Sequence, residues 1–215
     1  MDDRPTVFIA TDDRVTRRKV TALVKSMGLP VKAFSTATEL LRTLDVPRPG
    51  CVVADAEMAD MAGLELLDQL GRRKTRPPVI FLCAGADVPT AVRVMKAGAF
   101  DFLEKPWGKQ ELHDTVREAL ERDADNRRQW RRVARVQRRM ARLTPGERDV
   151  QRLVLQGKSN RAMAERLGLS VRAVEVRRAK LMRKMRARSA AELARLTLLA
   201  GEPTVPSHTL PGRPR

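Results

Sequence analysis

Apolar residues gather in short blocks that recur at intervals of roughly twenty residues through the first half of the chain. Val7-Phe8-Ile9-Ala10 is the first, and Val31-Lys32-Ala33-Phe34 is a weaker second. Cys51-Val52-Val53-Ala54, Val79-Ile80-Phe81-Leu82-Cys83 and Ala99-Phe100-Asp101-Phe102-Leu103 follow. Continuous rather than alternating apolar runs of this length suit strands covered on both faces, as in a parallel sheet. Between them the period changes. Val20, Leu23, Val24 and Met27 fall at helical spacing, with Gly28 as a stop. Thr36 to Glu39 reads as a capping box opening a helix with Ala37, Leu40, Leu41 and Leu44. Leu64, Leu67 and Leu70 mark a third helix. Ala91, Val92 and Met95 mark a fourth, ended by Gly98, and Leu112, Val116 and Leu120 begin a fifth. This alternation predicts a doubly wound (βα)5 parallel sheet over residues 1–120.

From Trp107 to Arg142 there is no proline and only Gly108 among glycines, so a long helix is expected. Leu112, Val116, Ala119, Trp130, Val133 and Met140 keep 3/4 spacing, interrupted by Asp123, Asn126 and Gln137. One reading is a signalling helix that pairs with a second copy, its polar positions fixing the register. The plainer reading is a solvated helical linker over 121–142. Beyond it the pattern predicts a four-helix domain over 143–200. Thr144-Pro145-Gly146-Glu147 is a helix start with a cap, a proline at the first position and a capping box. Gly157 ends that helix, and a short one from Asn160 to Leu167 ends at Gly168. Ser170 caps a third, to about Ala187, and Ser189 to Glu192 opens a fourth with Leu193, Leu196 and Leu199. A short helix joined to a longer one through the tight Gly168-Leu169 turn is helix-turn-helix geometry. Residues 201–215, rich in proline, read as a disordered tail.

Charge sharpens this division. The 215 residues carry net +17. Residues 1–120 hold 18 basic and 17 acidic side chains, whereas residues 121–215 hold 25 and 9. A near-neutral domain is therefore joined to one suited to a polyanion. The longest apolar runs are strand-length, so no membrane span is expected. The acidic N-terminus lacks a signal-peptide stretch, and Cys51 and Cys83 both fall in strand blocks, which favours the cytoplasm over a disulfide framework. His113 and His208 are the only histidines, which argues against a zinc finger or a histidine-based triad.

In doubly wound sheets chemistry collects at the C-terminal ends of the strands. Asp12 and Asp13 follow the first strand, Asp55 ends the third, Cys83 ends the fourth and Lys105 follows the fifth. Carboxylates gathered on one rim favour a hard divalent cation, most simply Mg2+. A carboxylate beside such an ion can accept a phosphoryl group, with the lysine balancing the added charge. The plainer alternatives are that Asp12 and Asp13 cap a helix, that Lys105 is a solvated loop residue, and that Cys83 and Phe102 are core.

Four stretches carry a family resemblance: 55–63 (DAEMADMAG), 87–92 (DVPTAV), 95–99 (MKAGA) and 101–106 (DFLEKP). Residues 5–120 resemble the receiver domain of two-component response regulators, of the FixJ type. The resemblance implies that Asp55 is the phospho-acceptor and Asp12 a direct metal ligand, with the Glu57 backbone carbonyl as a further ligand. It makes Lys105 the phosphate-pairing lysine and Phe102 the switch aromatic. Asp13, the acid that follows Asp12, is counted with the metal set. Three positions depart from the family pattern. Thr11 replaces the first acid of the usual pair, Cys83 replaces a Thr or Ser whose hydroxyl meets the phosphoryl group, and Ala59 replaces a proline. A thiol is a much weaker donor than a hydroxyl.

In the C-terminal domain the third helix carries Arg172, Arg177, Arg178, Lys180, Arg183, Lys184 and Arg186. With Val171, Val174, Leu181 and Met185 turned to the core, these cations face outward, where a DNA major groove takes the helix. Stretches 143–150 (LTPGERDV), 157–161 (GKSNR), 167–170 (LGLS) and 174–178 (VEVRR) resemble the LuxR/FixJ-type DNA-binding domain. By that resemblance Arg172, Glu175, Val176 and Ala179 face the bases, and Lys158, Ser159 and Asn160 hold backbone phosphates. Arg177, where histidine is usual, Arg178 and Arg183 add cations. Together the two halves imply a cytoplasmic response regulator that binds double-stranded DNA and controls transcription. Its expected partners are a sensor histidine kinase, a second copy of itself and RNA polymerase. Alternatives are DNA binding independent of phosphorylation and a free-standing phosphotransferase or phosphatase. The absence of a general base beside Asp55 counts against the second, so no enzyme is expected. The scarcity of aromatics disfavours single-stranded RNA.

Overall fold

The computed structural model describes residues 4–44, 48–73, 76–85 and 88–201. Asp87 of the matched stretch, His208 and nearly all of the expected tail lie outside the described residues; Gly201 closes the last helix. The chain divides into two units, Met1–Arg127 and Arg128–Arg215.

In the first unit five parallel strands form one sheet. They are β1 (Thr6–Ala10), β2 (Val31–Phe34), β3 (Gly50–Asp55), β6 (Val79–Ala84) and β7 (Asp101–Lys105), in the order β2-β1-β3-β6-β7. Two short strands missed by the pattern, β4 (Glu57–Met58) and β5 (Met61–Ala62), make an antiparallel hairpin after β3. At two residues each they are too short to show a period. The helices are α1 (Arg14–Ser26), α2 (Ala37–Thr43), α3 (Gly63–Gly71), α4 (Val88–Lys96) and α5 (Lys109–Ala141). Strand residues alternate between two cores. Phe8, Ala10, Val52, Ala54 and Phe81 pack with α2, α3 and α4 residues such as Leu40, Leu66 and Val94. Val7, Ile9, Cys51, Val53 and Ile80 pack with Val20 and Val24 of α1 and with Leu112 and Val116 of α5. The expected doubly wound sheet is thus present, with both faces covered.

Local differences have simple causes. Leu64 and Val92 are exposed, and Leu66 and Val94 take the buried positions, because a helical stripe read from alternate members can be rotated by one step. The last strand starts at Asp101 rather than Ala99, since the Ala99 N–H still closes α4 on the Val94 carbonyl and the chain first meets β6 when Phe100 donates to the Val79 carbonyl. Thr36 caps α2 by accepting from the Glu39 N–H, but Glu39 reaches back to Ser35 rather than to Thr36.

The second unit contains the end of α5 and four helices: α6 (Pro145–Leu155), α7 (Asn160–Leu167), α8 (Val171–Met185) and α9 (Ala190–Gly201). Val150, Leu153, Val154, Met163, Val174, Leu181, Met185, Leu193 and Leu196 form its core, and Val136 of α5 is buried among them. Gly168, at φ 63°, ends α7 in the left-handed conformation that glycine adopts without steric penalty. Arg186 takes the same conformation at φ 56° and ends α8 at Met185, against the expected end at about Ala187.

The structure corrects the picture of α5 as a coiled-coil seam. Val136 and Met140 face the core of their own unit, and Gln137 donates to the Ala200 carbonyl. Asp123 is buried and accepts from the Gly50 N–H at 2.9 Å and from Arg127 at 2.7 Å. Val136, Met140, Gln137 and Asp123 are thus used inside the chain, whereas Trp130 of the same stripe stays 38% exposed.

Candidate acidic site and candidate nucleic-acid interface

Asp55 is the last residue of β3, beside β1, where the strand order reverses. Backbones diverge at such a point and leave a crevice at the C-terminal edge. The Asp55 side chain is 5% exposed. Lys105, the last residue of β7, brings its ammonium to 2.6 Å from Asp55 Oδ1 as an ion pair without the alignment of a hydrogen bond. The buried Thr11 hydroxyl donates to the other oxygen, Oδ2. Thr11 thus does something that an ionised acid at this position could not.

The neighbouring residues separate into two groups. Asp12 Oδ2 accepts from the backbone N–H of Ala59 at 3.1 Å, which ties the end of β1 to the β4–β5 turn. Asp60 in the same turn accepts from the Ala37 and Thr38 N–H groups and so caps α2. Asp13 is the cap of α1 and accepts from the Val15 and Thr16 N–H groups and the Thr16 hydroxyl. The Thr16 hydroxyl, then the Val15 and Thr16 amides, hold its carboxyl below the usual range. The expectation that Asp13 joins a metal set is therefore corrected, because helix capping takes both its oxygens. Glu57, two residues after Asp55, has an exposed side chain. Cys83 is buried on β6; burial first, and the Asp55 carboxylate second, push its thiol up, so it stays a weak donor. Phe102 is half-buried on β7 against the α2–α3–α4 core.

Among the described residues no three His, Cys, Asp or Glu side chains come together to hold a metal ion. The donor set is smaller than the expected one: of its carboxylates, Asp12 and Asp55 remain. That set still fits Mg2+, which is commonly bound through one or two carboxylates with water completing its shell. Asp55 Oδ1 supports the fit, as a buried oxygen that accepts no hydrogen bond.

In the second unit, Arg172, Glu175, Val176, Ala179 and Arg183 are all exposed on α8, at spacings that put them on one helical face. Val171, expected in the core, is 42% exposed instead, beside that face. Lys158 and Ser159 are exposed at the start of α7, and the Ser159 hydroxyl caps that helix by accepting from the Ala162 N–H. Asn160 Oδ1 accepts from Arg178 at 2.8 Å, so these two expected DNA-facing residues also brace α7 against α8. Lys184 points inward from the basic set and pairs with the buried Glu147 at 2.6 Å. Glu147 completes a capping box with Thr144. Arg177 lies against Gly146 at the start of α6. These internal partners are hidden in the sequence, which shows charge along α8 but not what packs opposite it. One signal is visible there: a glycine in a first helical turn, where almost any other residue is a better helix former.

Fold and geometry define a receiver unit followed by a helix-turn-helix unit, and comparison with known proteins agrees. Residues 7–117 match the response regulator receiver domain family, and residues 141–197 match the bacterial regulatory proteins of the luxR family. Nodulation protein W of Bradyrhizobium diazoefficiens is 40% identical over 91% of this chain and 86% of its own length. The transcriptional regulatory protein FixJ of Azorhizobium caulinodans is 40% identical over 91% and 92%. Among solved structures, the response regulator StyR superposes with a TM-score of 0.79 at 34% identity, covering 91% of this chain and 98% of that one. The chain belongs to the response-regulator family, in its FixJ branch with a luxR-type DNA-binding domain. It is a DNA-binding regulator of transcription. Among the described residues no helix is long and apolar enough to cross a membrane.

Proposed function

We propose that Asp55 accepts a phosphoryl group from the phosphohistidine of a sensor histidine kinase and that this governs how the second unit engages DNA. The observation that carries the reading is the ion pair at 2.6 Å between the buried Asp55 and the partly exposed Lys105, at the C-terminal edge of the sheet. An Asp55 carboxylate oxygen attacks phosphorus, the P–O bond forms as the P–N bond breaks, and the imidazole leaves with the electron pair and takes a proton. Lys105 holds the acceptor in place and balances the added charge. Mg2+, held by Asp12, Asp55 and the Glu57 carbonyl, would withdraw charge from the phosphoryl oxygens. Cys83 gives the product a poorer donor than a hydroxyl would. Phe102, at the switch position, reports the change on the α4 side.

On the DNA side, Arg172, Glu175, Val176 and Ala179 would meet base edges. Lys158, Ser159, Asn160, Arg177, Arg178 and Arg183 would meet phosphates. A homodimer would set two copies of α8 in successive major grooves, and RNA polymerase is the downstream partner. The cytoplasm is where such a kinase and chromosome meet.

Incubation with Mg2+ and a small acyl phosphate, read by intact mass, tests the first step: one phosphoryl addition is expected, absent in Asp55→Ala. No addition would favour DNA binding that ignores phosphorylation. The specific support for that second reading is that Thr11 and Ala59 already supply donors to Asp55 and Asp12.

A further inference from the structure

Gly146 is the second residue of α6, inside its first turn. Glycine is unfavourable there relative to alanine, since it loses more backbone freedom on folding. Its backbone does not need a positive φ. What it provides is room. A Cβ built at Gly146 would lie 2.8 Å from Arg177 Nη1 and 3.2 Å from Cζ. The guanidinium of Arg177, from α8, therefore occupies the space that any other residue at 146 would fill.

Arg177 has a second distinguishing feature. It is half-buried, yet among the described residues it makes no ion pair and no hydrogen bond. Its neighbours are otherwise committed: Arg178 donates to Asn160 and Lys184 pairs with Glu147. Arg177 is one step, about 100°, around the helix from Val176. That places it on the flank between the face formed by Arg172, Glu175, Val176 and Ala179 and the buried side of Val174, Leu181 and Met185, from which a long side chain can reach a backbone phosphate but not base edges.

We propose that Gly146 is a positioning residue for DNA binding: lacking a Cβ, it lets the Arg177 guanidinium rest on the first turn of α6 and be presented to a backbone phosphate. The proposal rests on the reading of α8 as the DNA-facing helix and adds to it a residue outside that helix. It also explains why a poor helix former stands in the first turn of a well-capped helix. The contact is with the far end of a flexible side chain, so a methyl group at 146 displaces Arg177 without breaking the fold.

The test uses the full chain and a short random-sequence DNA duplex, with affinity measured across a salt series for wild type, Gly146→Ala, Arg177→Ala, the double variant and Arg172→Ala. Arg177→Ala is expected to lower the slope of log affinity against log salt by about 0.9, the value for one phosphate left without its cation. Gly146→Ala is expected to lower it in the same sense and to weaken binding several-fold, while its Tm stays at or above that of wild type. The double variant is expected to bind like Arg177→Ala alone. A wild-type slope and affinity for Gly146→Ala, with Arg177→Ala impaired, overturns the proposal and leaves the DNA-facing role of α8 intact. Additive losses in the double variant also overturn it. If Arg172→Ala and Arg177→Ala both bind as wild type, α8 is not the DNA-facing helix, and the proposal falls with that reading.

Discussion

The backbone N–H of Ala59 donates to Asp12 Oδ2 at 3.1 Å. Proline, usual at this position in the family, has no N–H and could not make this bond. Thr11, which replaces an acid, donates to Asp55 Oδ2 in the same region. Two departures that look unrelated in sequence thus have one physical effect: each gives an acidic-site carboxylate an internal donor and takes negative charge or a free lone pair from any incoming cation. Thr11→Asp reverses the larger of the two. It is expected to tighten Mg2+ binding about tenfold or more, since a third carboxylate adds attraction and one donor is removed. Adding Ala59→Pro should tighten it further. Calorimetric Mg2+ titration checks this, and equal affinities for wild type and Thr11→Asp would show that the hydrogen bonds do not limit the metal.

A second prediction concerns the anchorage of α5. Asp123 and Arg127 form a pair whose side chains are 6% and 18% exposed, and Asp123 also accepts from Gly50 at the start of β3. Asp123→Ala takes the carboxylate from a nearly buried guanidinium, which among the described residues keeps only the Arg48 carbonyl, and leaves the Gly50 N–H without its acceptor. The first unit should lose about 3 kcal/mol. Asp123→Asn keeps an acceptor for Gly50 and should lose less. Urea unfolding followed through Trp107 measures both, and an alanine variant within about 0.5 kcal/mol of wild type would contradict the anchoring role.

The same pair shows where sequence reading reaches its limit. Apolar periodicity is a property of one segment, so the five strands of the parallel sheet, the helices and the turn at Gly168 are legible from the sequence alone, and the two-residue strands β4 and β5 are not. Asp55 and Lys105 are legible too, because strand ends in a doubly wound sheet must share one rim. Asp123 passes for a coiled-coil position because an interrupted stripe has the same pattern whether its polar residue faces a second helix or a distant backbone amide. Asp13 passes for a metal ligand because a capping carboxylate and a ligating carboxylate occupy the same place after a strand. The partners that decide such cases are Gly50 for Asp123, Ala59 for Asp12, Glu147 for Lys184 and Gly146 for Arg177. They lie tens of residues away, and only Gly146, a glycine in a first helical turn, leaves a local trace.

Glu147 gives the second unit an acid-sensitive element. Burial alone would raise its carboxyl, but hydrogen bonds from Lys184 and the Thr144 amide outweigh that and hold it below the ordinary value. The folded state therefore favours the ionised form. Its contribution is fully present above the unfolded-state value, about 4.3, and is lost as pH falls through the lower folded-state value. Glu147→Gln should cost about 2 kcal/mol at neutral pH, because Lys184 and the Thr144 amide lose a charged acceptor. It should also flatten the stability of this unit between about pH 5 and pH 3. Urea midpoints read through Trp130 across that range check both, and an unchanged acid limb would assign the sensitivity to other carboxylates.

The last prediction concerns the connector's charge. Val136 and Met140 of α5 turn into the core of the second unit, which leaves Arg132, Arg135 and Arg138 exposed on the outer side of that segment. Arg139 lies between them and α8. Burial first, then the like charges of Arg186 and Arg135, press its guanidinium below the ordinary value, while it donates to the Met185 carbonyl. Cations crowded in this way around the end of α8, the helix proposed to meet DNA, make a field that a phosphate would relieve. Replacing Arg132, Arg135 and Arg138 with glutamine should therefore lower the salt slope of DNA binding by up to about 0.9 for each phosphate these arginines neutralise. The preferred sequence should not change, because phosphate contacts carry register and orientation rather than base identity. Selection from a random duplex library at two salt concentrations reads both quantities. An unaltered slope would confine the DNA contacts to α7 and α8, and an altered preferred sequence would mean that the connector reaches base edges.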